Sequence, residues 1–134
     1  MSGRSLVGRR DFLKTAAAVA APMIVPASAL GRDGATPPSE RVTLGCIGVG
    51  NRGSSNMRHF LREPRVQVVA VCDVDRVHRE RARANAELDA GAAYHDFREV
   101  LTREDIDAVS IGTPDHWHAI NTVQAANAGK DIFC

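Results

Sequence analysis

Three glycines and one aspartate stand at spacings that could hold a nucleotide. Residues 48–53 read Gly-Val-Gly-Asn-Arg-Gly, a G-x-G-x-x-G pattern, and Asp73 follows about twenty residues later. In a dinucleotide-binding turn the first glycine permits the tight turn, the second lets the backbone approach a pyrophosphate, and the third lets a helix pack close to a strand. The acidic residue accepts hydrogen bonds from the adenosine ribose. The glycine pattern alone is weak evidence, because ordinary turns also contain it.

The neighbouring segments strengthen the dinucleotide interpretation. Val42–Ile47 is short, apolar and partly β-branched, which is typical of a buried parallel strand. Apolar residues at helical spacing predict a helix over 54–62, and Val66–Cys72 is a second apolar run that ends beside Asp73. Strand, glycine turn, helix, strand and acidic residue therefore occur in the order that a dinucleotide site requires. A turn of the same shape that binds no ligand is the alternative.

The residues after the second strand bear on which dinucleotide is preferred. The carboxylate of Asp73 would bind the ribose hydroxyls and repel a 2′-phosphate, which favours NAD. Arg76 weakens this preference, since a nearby arginine can accommodate the extra phosphate. We therefore predict NAD as the cofactor, with NADP less favoured.

Length and composition indicate one small α/β domain. The chain has 134 residues, a formal net charge of +1, 44% hydrophobic residues and 4% aromatic residues. This charge implies no nucleic-acid partner. The arginines within 76–83 alternate with glutamate on a predicted helix, which favours a solvated helix face over a basic patch.

Residues 1–29 resemble a twin-arginine export signal. Arg9 and Arg10 precede Asp-Phe-Leu-Lys, an alanine-rich apolar run over 15–25 and the small-x-small sequence 27–29. This pattern predicts the twin-arginine machinery as a partner and an exported, periplasmic location. The apolar run is short and is broken by prolines, so no stable membrane anchor is predicted.

The rest of the chain is divided into a linker over 30–40 and a nucleotide-binding domain over 41–134. Strands and helices alternate through this domain, which predicts a doubly wound parallel sheet of order 3-2-1-4-5 with the ligand above the carboxyl ends of strands one and four. After the second strand we expect a helix over 77–90 stopped by Gly91, and then an edge strand over 92–94. A helix over 97–102 capped by Asp96 and a strand over 107–112 should follow. The last elements are a helix over 116–128, capped by Thr113 or Asp115 and closed by Gly129, and a strand over 131–134.

The loop over 112–119 would lie across the crevice from the glycines. His116 and His118 are two residues apart, but such positions diverge on a helix and no carboxylate or cysteine is spaced to complete a ligand set, so no metal site is predicted. His59, His78 and His95 are expected on the surface without a role. Cys46 and Cys72 are expected as buried thiols, and a disulfide between them would need geometry that central parallel strands seldom provide.

Four motifs together resemble a known family. The sequences GVGNRGS, VVAVCDVD, GTPDHWH and AGKDIFC are similar to those of the exported branch of the Gfo/Idh/MocA oxidoreductases. The resemblance implies a nicotinamide-binding Rossmann domain followed by an α+β domain that carries a sugar or polyol substrate, and members are often homo-oligomers. It implies that the pyrophosphate is held by Gly48, Gly50, Asn51, Arg52 and Gly53, the adenosine ribose by Asp73, and the nicotinamide ribose side by Thr113, Pro114, His116 and His118.

The sequence departs from the family pattern at Cys134. A Glu-Lys-Pro normally follows the residue that corresponds to Cys134, and its lysine, with a later His or Asp, serves substrate binding and proton transfer. Neither these residues nor the α+β domain is present in the 134 residues, so no catalytic residue is predicted and the chain alone is expected to be inactive. An uncovered last strand, with Ile132 and Phe133, is expected to promote association.

Three functions are compatible with these patterns. The first is the NAD-binding part of an exported oxidoreductase acting on a sugar or polyol. The second is a glycosidase of the same family that uses NAD transiently, and the third is a nucleotide-binding remnant without chemistry.

Overall fold

A five-stranded parallel sheet forms the centre of the computed structural model, which describes residues 36–134. The predicted export signal and most of the predicted linker therefore lie outside the described residues. The elements are β1 (Val42–Ile47), α1 (Asn51–Phe60), β2 (Val66–Cys72), α2 (Arg76–Asn85), β3 (Ala93–Tyr94), α3 (Phe97–Leu101), β4 (Ala108–Ile111), α4 (Asp115–Asn127) and β5 (Asp131–Phe133), with 3-10 turns at Pro38–Glu40 and Ala90–Ala92.

The sheet has the order β3-β2-β1-β4-β5, with every neighbouring pair parallel. This confirms the predicted Rossmann-type order. The chain leaves β1 in one direction along the sheet and returns to its other side at β4, so the carboxyl ends of β1 and β4 flank the point where the strand order reverses. Ligands of doubly wound sheets bind at such a point.

Two separate groups of buried residues form the core. One contains Met57 and Ala82 from α1 and α2, and the other contains Val100 and Ala125 from α3 and α4. The central strands contribute to both groups, which is why their sequences are apolar throughout instead of alternating. The sheet is thus covered by helices on both faces.

Cys46 and Cys72 lie in different core groups, and both are free thiols. Burial raises the pKa of each thiol to about 12, with the charge of Asp73 adding to the effect on Cys72. At neutral pH both are protonated, unreactive parts of the core.

The β1–β2 register contains a bulge that the sequence did not predict. Leu44 pairs with Val68 and Gly45 pairs with Ala70, so Val69 is an extra residue in β2. Val69 and Ala70 consequently pack toward the same core group, and the alternation of faces resumes at Val71.

The predicted end of α2 was wrong. The helix ends at Asn85, and Gly91 belongs to a 3-10 turn instead of stopping the helix. Glu87 takes a left-handed conformation (φ 53°), and the N–H of Leu88 donates to the carbonyl of Arg83. This is a Schellman ending with glutamate in the position that glycine usually occupies.

The predicted cap of α4 was also wrong. The residue before the helix is Pro114, and no side chain caps the first turn, whether from Thr113 or from Asp115. The other end follows the prediction, because Gly129 (φ 71°) closes the helix and the N–H of Lys130 donates to the carbonyl of Ala125. The predicted cap at Asp96 is confirmed, since its side chain accepts from the N–H of Arg98.

The last strand is partly covered. Ile132 packs against the core, whereas Phe133 is 51% exposed and forms a T-shaped contact with the Phe60 ring, with centroids 5.4 Å apart. Of the helices within residues 36–134, none has the length and apolar character needed to cross a membrane.

Candidate dinucleotide-binding site

A cavity of about 470 Å³ lies at the carboxyl ends of β1, β2 and β4. It opens where the strand order reverses, which is the position predicted for the ligand. The residues around it come from four places: the glycine turn with the start of α1, the end of β2 with the start of α2, the end of β3 with the start of α3, and the loop between β4 and α4 with the start of α4. Its lining consists of Ile47, Gly48, Gly50, Asn51, Arg52, Cys72, Asp73, Val74, His78, His95, Phe97, Gly112, Thr113, Pro114 and Trp117.

Gly48, Gly53 and Gly112 form a glycine contact in which the backbones of three elements meet. Gly48 has φ 75°, and a Cβ on it would lie 2.6 Å from the Thr113 nitrogen. A Cβ on Gly53 would lie 1.7 Å from the Gly48 carbonyl oxygen, and one on Gly112 would lie 2.5 Å from the Gly53 Cα. No side chain fits at these positions, so the three glycines allow the turn, α1 and the end of β4 to touch.

Gly50 has a different environment. Its φ is −68°, which any residue can adopt, and an added Cβ would meet only the ring of His78, at 3.4 and 3.5 Å. Apart from Gly50 and its chain neighbours, no other atom of the described residues lies within 4 Å of that Cβ. A methyl group at Gly50 would occupy part of the cavity itself. A pyrophosphate needs that space when it approaches the backbone.

The first turn of α1 faces the same space. Gly50 is the residue before the helix, no side chain caps the first turn, and Asn51 and Arg52 both line the cavity. Uncapped N–H groups at a helix N-terminus, with the positive end of the helix dipole, bind phosphate groups. The turn thus offers both room and hydrogen-bond donors to an anion.

Asp73 is fixed at the opposite side of the turn. Its side chain is 11% exposed; Oδ2 accepts from the N–H of Val49 at 2.9 Å, and Oδ1 accepts from the N–H of Asp75 at 2.9 Å. Each carboxylate oxygen has two lone pairs, so acceptor capacity remains for a ligand. Arg76 does not line the cavity, although it lies only three residues along the chain.

Asp75 holds the start of α2 in place. Its carboxylate accepts from the N–H groups of Val77 and His78, at 2.7 and 3.1 Å, and these bonds lower the pKa of Asp75 below its ordinary value. His78 then lies on the first turn of α2 with its Nδ1 3.9 Å from the Asp73 Oδ2. The cap therefore sets the distance between this imidazole and the carboxylate on the cavity wall.

Eight of the lining residues were not among the predicted site residues: Ile47, Cys72, Val74, His78, His95, Phe97, Gly112 and Trp117. His78 and His95 were expected on the surface without a role, yet both line the cavity, together with Val74 and Phe97. The signal for His78 was its position on the first turn of the helix that follows Asp73. His95 and Phe97 follow the two-residue strand β3, whose pairing with β2 only the tertiary structure reveals.

The loop after β4 forms the remaining wall, with Thr113, Pro114 and Trp117 on the cavity. The other two predicted residues of this loop do not line it. His116 is exposed beside Trp117, and His118 Nε2 lies 2.7 Å from the carbonyl oxygen of Thr113, to which it donates. The predicted nicotinamide-side roles of His116 and His118 stay predictions.

A second, polar cavity of about 250 Å³ adjoins the first and shares Gly50, Asn51 and His78 with it. Ser54, Arg58 and Arg81 complete much of its wall, and neither arginine forms an ion pair with a residue of the described range. Positive charge is thus concentrated beside the glycine turn. Within residues 36–134, no group of three His, Cys, Asp or Glu side chains is arranged to hold a metal ion.

Comparison with known proteins agrees with this geometry. Residues 42–134 match the model of the Gfo/Idh/MocA oxidoreductase family, described as having an NAD-binding Rossmann fold. Residues 7–26 match the twin-arginine translocation signal, which confirms the predicted export.

Two curated relatives match most of the chain. A glycosyl hydrolase family 109 protein of Saccharopolyspora erythraea is 35% identical over 147 residues, which cover 92% of this chain and 32% of that protein. An alpha-N-acetylgalactosaminidase of Shewanella oneidensis is 33% identical over 150 residues, covering 95% and 33% respectively. The chain therefore spans about one third of the length of these relatives.

Solved structures match the domain without the leader. An NAD-binding oxidoreductase of Klebsiella pneumoniae is 29% identical with a TM-score of 0.61, and myo-inositol 2-dehydrogenase of Lactobacillus plantarum is 28% identical with a TM-score of 0.63; each match covers 70% of this chain and 27% of the other. Scyllo-inositol dehydrogenase of Lactobacillus casei, solved with NAD(H) and scyllo-inositol, shares the fold at 24% identity, with a TM-score of 0.64 over 69% of this chain and 27% of the other. The family match, the glycine turn and the parallel sheet agree: the chain belongs to the Gfo/Idh/MocA oxidoreductase family and contains its NAD-binding Rossmann domain.

Proposed function

We propose that this chain binds NAD and forms the nucleotide-binding domain of an exported enzyme that acts on a sugar or polyol. The observation that carries the proposal is the space at Gly50, which the fold leaves open beside the uncapped start of α1 and the fixed carboxylate of Asp73. A pyrophosphate and a ribose diol are complementary to these two features. When bound, the nicotinamide would accept or donate a hydride.

Different residues of the chain would bind different parts of the dinucleotide. Gly50, Asn51 and Arg52 would hold the pyrophosphate, and Asp73 would accept from the adenosine ribose hydroxyls. The loop after β4 would meet the nicotinamide half, where Thr113 and Trp117 line the cavity. Gly48 and Gly53 act indirectly, since they let the turn take its shape.

NAD is preferred to NADP in this proposal. A 2′-phosphate beside Asp73 would place two negative groups together, next to a carboxylate that backbone N–H groups already hold in position. Arg58 and Arg81 oppose this preference. They line the polar cavity together with His78, and their positive charge would attract a 2′-phosphate. The comparison of NADH with NADPH affinity measures which influence dominates.

The whole enzyme would oxidise a carbon that carries a hydroxyl group. Two outcomes share that step: a dehydrogenase releases the oxidised substrate, whereas a glycosidase of this kind oxidises a sugar carbon, eliminates the glycosidic substituent, adds water to the resulting double bond and reduces the product. The relatives named as glycosyl hydrolases match 92–95% of the chain, leader included, which favours the glycosidase. The dehydrogenase is supported by the 28% identical inositol dehydrogenase structure.

The binding proposal is tested by titrating the chain with NADH. Trp117 is the single tryptophan and lies on the cavity wall, so bound NADH should quench its emission by energy transfer. Asp73→Ala should weaken NADH binding by about tenfold or more, because a hydrogen bond to a charged group contributes roughly 1.5–3 kcal/mol. Glu104→Ala, which removes an exposed carboxylate away from the cavity, is the control. Unchanged emission of the wild type over the titration would refute the proposal.

The two reactions are distinguished in a protein of the relatives' length. A glycosidase releases a nitrophenol from a nitrophenyl N-acetylgalactosaminide without net change in the absorbance of NADH. A dehydrogenase accumulates NADH in proportion to the polyol consumed.

A further inference from the structure

Thr113 is held by two side chains that lie behind it. It lines the cavity at the end of β4, and its backbone nitrogen lies against Gly48. From the second turn of α4, His118 donates to its carbonyl oxygen at 2.7 Å, and Asn121 Nδ2 donates to its Oγ1 at 3.0 Å. Neither His118 nor Asn121 lines the cavity itself.

The bond from Asn121 constrains the Thr113 hydroxyl. A hydroxyl has one hydrogen to donate and two lone pairs that accept, and the Asn121 amide occupies one of those lone pairs. Because Asn121 donates to that oxygen, the hydrogen cannot point toward the Asn121 amide nitrogen. The hydroxyl hydrogen is left to point elsewhere, and Thr113 faces the cavity.

The burial of the Asn121 side chain carries a penalty in stability. It is 1% exposed, and its Oδ1 has no hydrogen-bond partner among the residues that the structure describes. A buried acceptor without a partner destabilises a fold, and a leucine of similar size would avoid that penalty. Within residues 36–134, the only hydrogen bond that the Asn121 side chain forms is the one to Thr113.

We propose that Asn121 is a positioning residue that keeps the Thr113 hydroxyl a hydrogen-bond donor toward the nucleotide. The acceptor would be an oxygen of the nicotinamide half, in its ribose or its carboxamide. The inference rests on the proposed function. It gives Asn121, a buried residue of α4 that does not line the cavity, a part in nucleotide binding. His118 acts on the same residue by donating to its carbonyl oxygen.

The test is a double-mutant cycle on the chain, read as NADH affinity. Asn121→Leu should weaken binding by about three- to tenfold, the loss expected for one neutral hydrogen bond. Thr113→Val should give a loss of the same order, and the double variant should bind no more weakly than Thr113→Val alone, since Asn121 acts only through that hydroxyl. Thr113→Ser keeps the hydroxyl and should bind within about twofold of the wild type.

Thermal unfolding separates positioning from support of the core. Asn121→Leu removes the unpaired oxygen, so its melting temperature should equal or exceed that of the wild type while its affinity falls. Equal affinity of Asn121→Leu and the wild type, or losses that multiply in the double variant, would overturn the inference and leave the proposed function intact. No binding by the wild type would overturn both. If Asn121→Leu does not fold, Asn121→Ala replaces it in the cycle, and failure of both to fold would assign Asn121 to the core alone.

Discussion

Alanine substitutions at Gly53 and Gly50 should affect different properties, folding in the first case and nucleotide binding in the second. A Cβ on Gly53 would lie 1.7 Å from the Gly48 carbonyl oxygen, which is backbone and cannot rotate away. A Cβ on Gly50 would meet only a flexible imidazole at 3.4 Å. We therefore expect Gly53→Ala to damage the fold, and Gly50→Ala to leave the fold intact while it blocks the nucleotide.

The sizes of the two effects follow from these distances. A Cβ atom essentially never lies within 3.0 Å of a non-bonded heavy atom, so α1 must move from the glycine turn by more than an ångström to admit the Gly53 methyl. Overpacking of this kind costs roughly 1–3 kcal/mol, and a rigid backbone contact belongs at the upper end. At roughly 4–8 °C per kcal/mol for a domain of this size, the melting temperature should fall by about 10–20 °C.

The assay pairs thermal unfolding with NADH titration, and Gly91→Ala is the matched control because no atom lies within 4 Å of its added Cβ. Gly50→Ala should lose less unfolding free energy than Gly53→Ala, since its added Cβ meets only the His78 ring, and should lose about tenfold or more in NADH affinity. Wild-type affinity in Gly50→Ala would refute the argument that the cavity needs this space. A melting temperature of Gly53→Ala equal to that of Gly91→Ala would refute the steric argument.

Three further predictions concern stability and reactivity. Glu87→Gly should raise the unfolding free energy by about 1 kcal/mol, because glycine takes the left-handed conformation (φ 53°) without strain; a lower melting temperature would contradict this. The bonds from Thr43 to Asp107 lower the pKa of that carboxyl, so its contribution to stability is present at neutral pH and is lost as the pH falls through the folded-state pKa; melting temperatures of Asp107→Asn and wild type should differ near pH 6 and converge once the pH is below that lowered pKa. Only Cys134 should react with a thiol reagent in the native chain, and all three cysteines should react in guanidinium; labelling of a core thiol without unfolding would count against the burial described.

The sequence was sufficient for the sheet and for the position of the site. Apolar runs without alternation identified the central strands, and the spacing from Gly53 to Asp73 placed one acidic residue at the end of the second. These signals are local, since a buried parallel strand and a glycine turn each impose their own residue types. The strand order followed from the alternation of strands with helices.

The errors arose where tertiary contacts override local preference. Glycine at 91 suggested the end of α2, but the helix ends earlier because Leu88 packs into the core and Glu87 accepts a strained conformation. Thr113 and Asp115 both have capping side chains, yet the Thr113 hydroxyl is engaged by Asn121 instead. When two elements offer hydrogen-bond partners to the same side chain, the sequence of one element alone does not predict which bond forms.

Histidines were the weakest part of the sequence prediction for the site. His78 and His95 have no motif around them, and they reach the cavity because α2 and β3 deliver them there. His116 and His118 stand in a motif, yet neither side chain lines the cavity. For a residue type that suits both surface and site, the neighbours in space decide its role.

The contact among Gly48, Gly53 and Gly112 also constrains how such a domain can evolve. A substitution at one of these positions cannot be offset at another, because the neighbours are already the smallest residues and the atoms that collide are backbone. Side chains of the surrounding wall are under no such constraint, and positions such as Val74 and His78 can change size or charge without moving the turn. The wall of the cavity can therefore vary while the backbone of the glycine turn stays the same.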